Sequence, residues 1–181
     1  MLCQIRKLES KIVRGWVKYM KTIIIYGSTY GYAKECTKRL AEQLKGETLV
    51  VNVSTDTIPP IDKFDNVIIG GSIYMGQIQK KVKVYCASNV GLLKNKRLGL
   101  SLCCGLLENF MQHTKNAFPE ELLKSAVAIE SFGGELRIEK MNLMHKILTG
   151  VMQKAAAKEG KEPTKQMPEN IAKLAAIINQ Q

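Results

Sequence analysis

Gly27-Ser28-Thr29-Tyr30-Gly31-Tyr32-Ala33 is the stretch of this chain best equipped to hold an anion. It follows the β-branched apolar run Lys21 to Tyr26 and precedes a helical pattern, so it opens a helix at the end of a strand. The first N–H groups of a helix have no partner inside it. With the hydroxyls of Ser28 and Thr29 they can surround a phosphate without any Lys or Arg. No Gly-Lys-Ser/Thr follows, which argues against a Walker loop and nucleoside triphosphate hydrolysis, and the G-x-G-x-x-G dinucleotide pattern is absent as well.

Two further stretches carry candidate binding residues. Ser72-Ile73-Tyr74-Met75-Gly76 follows the run Val67 to Gly70. Tyr74 or the softer Met75 could stack on a flat ring, unless Tyr74 simply faces the core, and Gly76 permits a positive φ. Cys104-Gly105 closes the run Leu98 to Cys103, and the adjacent cysteines suit either a thiol role or two small core residues. The five cysteines show no C-x-x-C and no His-Cys ligand spacing, while His113 and His145 stand alone. No disulfide framework and no metal site are expected, and a reducing, cytoplasmic setting is.

The elements that must position these loops follow from periodicity. Apolar runs at Lys21 to Tyr26, Leu49 to Val53, Val67 to Gly70, Leu98 to Cys103 and Ala126 to Phe132 predict five strands. Between them lie a helix from Tyr32 to about Lys45, stopped by Gly46, and one through Val82 and Tyr85. Pro119-Glu120-Glu121 reads as a helix start, and Pro168-Glu169 opens a last helix with the stripe Ile171, Leu174, Ala175 and Ile178. Strands alternating with helices imply a doubly wound α/β domain with a parallel sheet, and such sheets bind ligands beyond the carboxyl ends of their strands. Those ends are Gly27 to Ala33, Gly71 to Gly76 and Cys104 to Glu108.

The Ile25-Tyr26-Gly27-Ser28-Thr29-Tyr30-Gly31 stretch, hydroxyl-rich with a late glycine, resembles the FMN phosphate loop of flavodoxins. That resemblance implies a three-layer, five-stranded parallel sheet of order 2-1-3-4-5 with FMN as cofactor. It also implies FMN contacts from Ser28, Thr29, Tyr30, Gly31, Tyr32 and Ala33, from Ser72, Ile73, Tyr74, Met75 and Gly76, and from Cys104 and Gly105. The family usually has another Ser/Thr where this chain has Ala33, and an aromatic in the third loop where this chain has none, which leaves one flavin face open. Gly71-Ser72-Ile73 with Met75-Gly76-Gln77, and a long basic helical insertion after the fifth strand, are closer to the flavodoxin-fold protoporphyrinogen IX dehydrogenase group. By that resemblance the chain is an FMN-dependent oxidoreductase with a small-molecule or quinone redox partner. A non-enzymatic electron-transfer flavodoxin is the alternative, and a flavin-free binding module a third.

Charge bears on the choice. Between Asp65 and Glu108 there is no Asp or Glu. A surround low in negative charge suits two-electron chemistry at a flavin better than low-potential one-electron carriage. The formal net charge of +11 means either a merely basic surface or attraction for anions. No aromatic-basic motif accompanies it, so nucleic-acid binding is not expected.

At 181 residues, 45% hydrophobic and 24% charged, the chain suits one domain, Met20 onward, with no apolar run long enough to span a bilayer. Its insertion, about 135–160, is amphipathic. Ile138, Met141, Met144, Leu148, Val151, Met152 and Ala155 line one side, with Arg137, Lys140, Lys146, Lys154 and Lys158 around them. Residues 137–158 therefore either pack on the core or dock a partner, a substrate or the inner face of a membrane. Lys158 to Gln166 reads as a polar connector. Residues 1–19 carry five Lys/Arg against the single acid Glu9. They read either as a start-site artefact, since Met20-Lys21-Thr22-Ile23 looks like a natural beginning, or as an amphipathic membrane-surface helix along Leu2, Ile5, Leu8, Ile12 and Trp16.

Overall fold

The computed structural model describes residues 20–160 and 165–180. Both readings of residues 1–19 fall outside it, as does part of the connector.

Strands β1 (Lys21–Gly27), β2 (Glu47–Asn52), β3 (Asn66–Ser72), β4 (Arg97–Cys103) and β5 (Ala128–Ser131) form one parallel sheet in the order β2-β1-β3-β4-β5. The helices are α1 (Tyr32–Ala41), α2 (Lys80–Ser88), α3 (Val90–Leu93), α4 (Phe110–Ala117), α5 (Glu120–Ser125), α6 (Leu143–Lys158) and α7 (Pro168–Asn179). Alternation along the central strands sends side chains to both faces, which explains their unbroken apolar runs. On one face Ile23, Ile25, Val67, Ile69, Leu98, Leu100 and Leu102 pack against Val82, Leu93 and Leu122. On the other, Ile24 and Ile68 meet Cys36 and Leu40 of α1 with Ile171, Leu174 and Ile178 of α7. Full burial of one such Ile or Leu is worth about 1.5–3 kcal/mol.

Some boundaries differ from expectation. Helix α1 ends at Ala41 rather than near Lys45, because Gln43 and Leu44 bond three residues back in a tighter turn that runs into Gly46 at φ 88°. Strand β5 is shorter than Ala126 to Phe132, although Val127 and Phe132 still donate to Leu98 and Leu102 of β4. Helix α4 carried no clear apolar period. Its inward positions include the buried Thr114, whose hydroxyl is satisfied by Phe110 O at 2.8 Å.

Helix α6 is turned against its composition. Facing the protein are the buried Thr149, which donates to Met141 Sδ at 3.5 Å, and the half-buried His145. Facing outward are Leu143, Met144, Ile147 and Val151, each 60% or more exposed. Of the expected stripe, Met141 is buried and Leu148 half-buried, while Ile138, Met144, Val151, Met152 and Ala155 are exposed. Most of the stripe therefore does not pack on the core. Among the described residues no helix is long and apolar enough to cross a membrane.

Candidate functional site

The carboxyl ends of β1, β3 and β4 come together because these strands are neighbours in register: Gly27 lies beside Gly71, and Ser72 beside Cys103. The loop leaving β1 turns into α1 at Gly31, which caps the helix at φ 93°, a conformation that costs any residue with a Cβ. The Ser28 hydroxyl accepts the Gly31 N–H at 3.1 Å and holds this turn. The N–H groups of the first turn of α1 therefore face the loop, the polarity expected of an anion site.

Gln79 ties this loop to the next one. Its Nε2 donates to Thr29 Oγ1 at 2.9 Å, to Ser72 Oγ at 2.6 Å and to Ser72 O at 3.0 Å, while the Thr29 N–H reaches Ser72 Oγ at 3.4 Å. Glycine at 27 and 71 makes the room: a Cβ at either would stand within 2.7 Å of Gln79 Oε1. Beyond Ser72 the chain makes a two-residue turn, with Tyr74 and Gln77 exchanging both backbone hydrogen bonds. Both central residues have positive φ, Met75 at 49° and Gly76 at 75°. The expected Gly76 conformation is present, and Met75 shares it at some strain, its side chain mostly exposed.

Between these loops lies a cleft of about 80 Å³ lined by Thr29, Tyr30, Tyr32, Ser72, Ile73, Tyr74 and Gly105 of the expected set. Ser28 and Gly31 shape the loop from behind, and Ala33 is buried in the core on the α1 side. Cys104 is buried with its Sγ 3.6 Å from Ser131 Oγ, and it is Cys103 that reaches the cleft. Hydrogen bonding to Cys36, with burial, holds the Cys103 thiol well above its ordinary range, so it is a protonated wall group rather than a nucleophile.

Sequence order gave no warning of the cleft's other wall. Gly134, Glu135, Leu136 and Met141 from the segment after β5 close it. The insertion also reaches the second loop, where His145 sits 4.6 Å ring to ring from Tyr74. Tyr30 completes the cluster, 5.7 Å from Tyr74 and edge-on, with its phenol hydrogen-bonded to His145 Nδ1. Burial is the first cause of the raised pKa of Tyr30. Glu135 puts a carboxylate into a surround that the sequence made look free of acids. It is bound by Arg137, at 2.7 Å from Nη2 and 3.1 Å from Nε, and Arg137 Nη2 also reaches Glu35 of α1 at 2.5 Å. That bond is the main reason the Glu35 carboxyl lies below its ordinary range. Tyr32 anchors the same corner, its hydroxyl donating to Phe132 O at 2.8 Å.

Comparison with known proteins places this geometry. A family model described as "Flavodoxin domain" matches residues 23–165. The chain belongs to the flavodoxin-domain family. Among solved structures, a flavodoxin of Streptococcus pneumonia TIGR4 is 13% identical, with a TM-score of 0.54, over 87% of this chain and 97% of that one. The rubredoxin oxygen:oxidoreductase of the anaerobe Desulfovibrio gigas is 15% identical, with a TM-score of 0.51, over 88% of this chain. This chain spans 37% of the length of that oxidoreductase. Both likenesses are of fold. No curated protein matches. The order β2-β1-β3-β4-β5 is the one the flavodoxin resemblance implied. Among the described residues of this flavodoxin domain, no group of His, Cys, Asp and Glu could hold a metal ion.

Proposed function

We propose that this flavodoxin domain binds FMN in the cleft between the Ser28–Gly31 loop and Ser72–Tyr74, and works as an oxidoreductase that takes two electrons from a reduced small molecule. The donor set fits the cofactor. Helix-start N–H groups and the Thr29 and Ser72 hydroxyls suit a phosphate. The Tyr74 hydroxyl, buried with no hydrogen-bond partner among the described residues, is a polar group waiting for one on the wall where a ring would lie.

FMN bound there supplies a hydride or electron acceptor. The chain's own residues do the rest. Gln79 fixes the spacing of the two loops, and Tyr74 offers a ring face. Leu136 and Met141 exclude water on the side of the insertion. The cleft is small beside the roughly 300 Å³ or more of a typical ligand pocket. Binding thus requires the Tyr30–Tyr74–His145 cluster to part and α6 to shift with it.

The single observation that carries the oxidoreductase reading is the outward apolar row of α6, next to the cleft and flanked by the exposed Lys146, Lys154 and Lys158. An oxidoreductase acting on an apolar donor such as a porphyrinogen, with a quinone as acceptor at the surface of an anionic membrane, has a use for such a face. Glu135 in the cleft wall favours the second reading, a one-electron carrier, because an acid beside a flavin disfavours its negatively charged reduced form.

FMN titration followed by flavin fluorescence tests the cofactor, and stepwise anaerobic reduction separates two-electron from one-electron behaviour. Turnover of porphyrinogen with quinone, and salt-sensitive sedimentation with anionic liposomes, are the expected results. Reduction in two separate one-electron steps with no turnover would leave the carrier.

A further inference from the structure

We propose that Arg137 and Lys140 form a cationic clamp over the phosphate loop and make this site select a phosphorylated flavin over the unphosphorylated one. The inference rests on the FMN reading and adds to it residues from the insertion, more than a hundred positions further along the chain.

The clamp is seen from Gly31. A Cβ on that residue would lie 3.4 Å from Arg137 Nη1 and 3.8 Å from Lys140 Nζ, so both cations stand directly over the N-cap of α1. Arg137 is held in place before any ligand arrives. Its Nε and Nη2 are bonded to Glu135 and Glu35, its guanidinium lies 5.8 Å from the Tyr32 ring centre, and its side chain is 14% exposed. None of the described hydrogen bonds or ion pairs uses Nη1 or Lys140 Nζ. The guanidinium is a rigid fork, so fixing two of its nitrogens aims the third, and little entropy remains to be lost on contact with an anion.

The loop's hydroxyl oxygens are held by accepted bonds, which orients their O–H groups and leaves them as donors. The Ser28 oxygen accepts from Gly31 N–H, and the Thr29 and Ser72 oxygens accept from Gln79. Charge balance favours an anion as well. Glu35 is bound by both Arg39 and Arg137, and Glu135 by Arg137, so the acids at this corner are matched and Lys140 is surplus. A phosphate dianion at the helix start would accept from Nη1 and Nζ in charge-assisted bonds, each about twice as strong as a neutral one.

The test is paired titration of FMN and riboflavin against the full chain and its Lys140→Gln variant, read by flavin fluorescence quenching. Lys140 is exposed and bonded to no described side chain, so the variant keeps the fold. The expected result is a loss of FMN affinity of about five- to twentyfold with riboflavin affinity unchanged. Added salt should weaken FMN binding to the parent more steeply than to the variant. Arg137→Lys, which keeps the charge and breaks the fork, should lower FMN affinity in the same selective way. Equal loss for both flavins would assign the two residues a purely structural part, and unchanged FMN affinity in both variants would remove the clamp while leaving the FMN site. Failure of the parent to bind either flavin would remove the FMN reading and the clamp together.

Discussion

Tyr30 and His145, 115 residues apart, are joined phenol to imidazole, and Tyr74 packs against both rings. Three segments therefore meet in one aromatic clasp: the loop after β1, the loop after β3, and α6. In the proposed FMN reading the clasp stands where the flavin ring would enter. Holding it shut lowers apparent affinity by the fraction of molecules that are open.

His145→Ala removes the link from α6. The expected outcome is faster amide exchange across residues 143–158, with the central strands as protected as before. FMN association should also become faster. Unchanged exchange in α6 would mean that Thr149 and Met141, not the clasp, hold the helix.

Gln79→Leu leaves Thr29 Oγ1 and Ser72 Oγ without their shared donor. An unfolding free energy lower by about 1–3 kcal/mol is expected, measured by urea denaturation. FMN affinity should fall alongside, since the spacing of the two loops is no longer fixed. Retained affinity with lowered stability would separate the two roles of this side chain.

Leu174 is fully buried between α7 and the sheet, next to Ile178 and Ile68. Leu174→Ala should lower the unfolding free energy by about 2–5 kcal/mol, with the spread set by how far the neighbours collapse into the space. Thermal unfolding followed by circular dichroism reads it. A change under that range would mean that α7 is less firmly seated than its burial implies.

Glu35 links pH to the corner that carries the clamp. Its bond to Arg137 places its folded pKa below the ordinary 4.5, so the contribution of this pair is fully present above that value and is lost as pH falls through the depressed one. The Glu35 side chain is 39% exposed, and solvent screening keeps the effect modest. Unfolding measured from neutral pH down should show the parent losing more stability below about pH 4.5 than Glu35→Gln does. Parallel curves for the two proteins would discount the pair.

Much of this domain was legible along the chain. The apolar runs gave five strands because each central strand buries both faces and needs no partner to be recognised. The strand–loop–helix turn around Ser28 and Gly31 was carried by residue types alone. Helix α4 was not legible, since a threonine on its inward side interrupted the period. Cys103 and Cys104 were indistinguishable until the fold set the first against Cys36 in the cleft wall and the second against Ser131.

The sequence by itself determined the sheet, its two helical layers and the turn from β1 into α1, because these rest on periodicity and turn chemistry within a few residues. Tertiary structure decided the rest of the site: that Gln79 bridges two loops, that Glu135 and Arg137 meet Glu35, and that His145 reaches Tyr30. It also decided that α6 turns Thr149 and His145 inward and its apolar row outward. A stripe of apolar residues gives a helix a face but does not say what that face meets. That depends on which side of the helix finds hydrogen bonds and ring contacts, and the ring partners Tyr30 and Tyr74 stand on loops at the carboxyl ends of β1 and β3, far back along the chain.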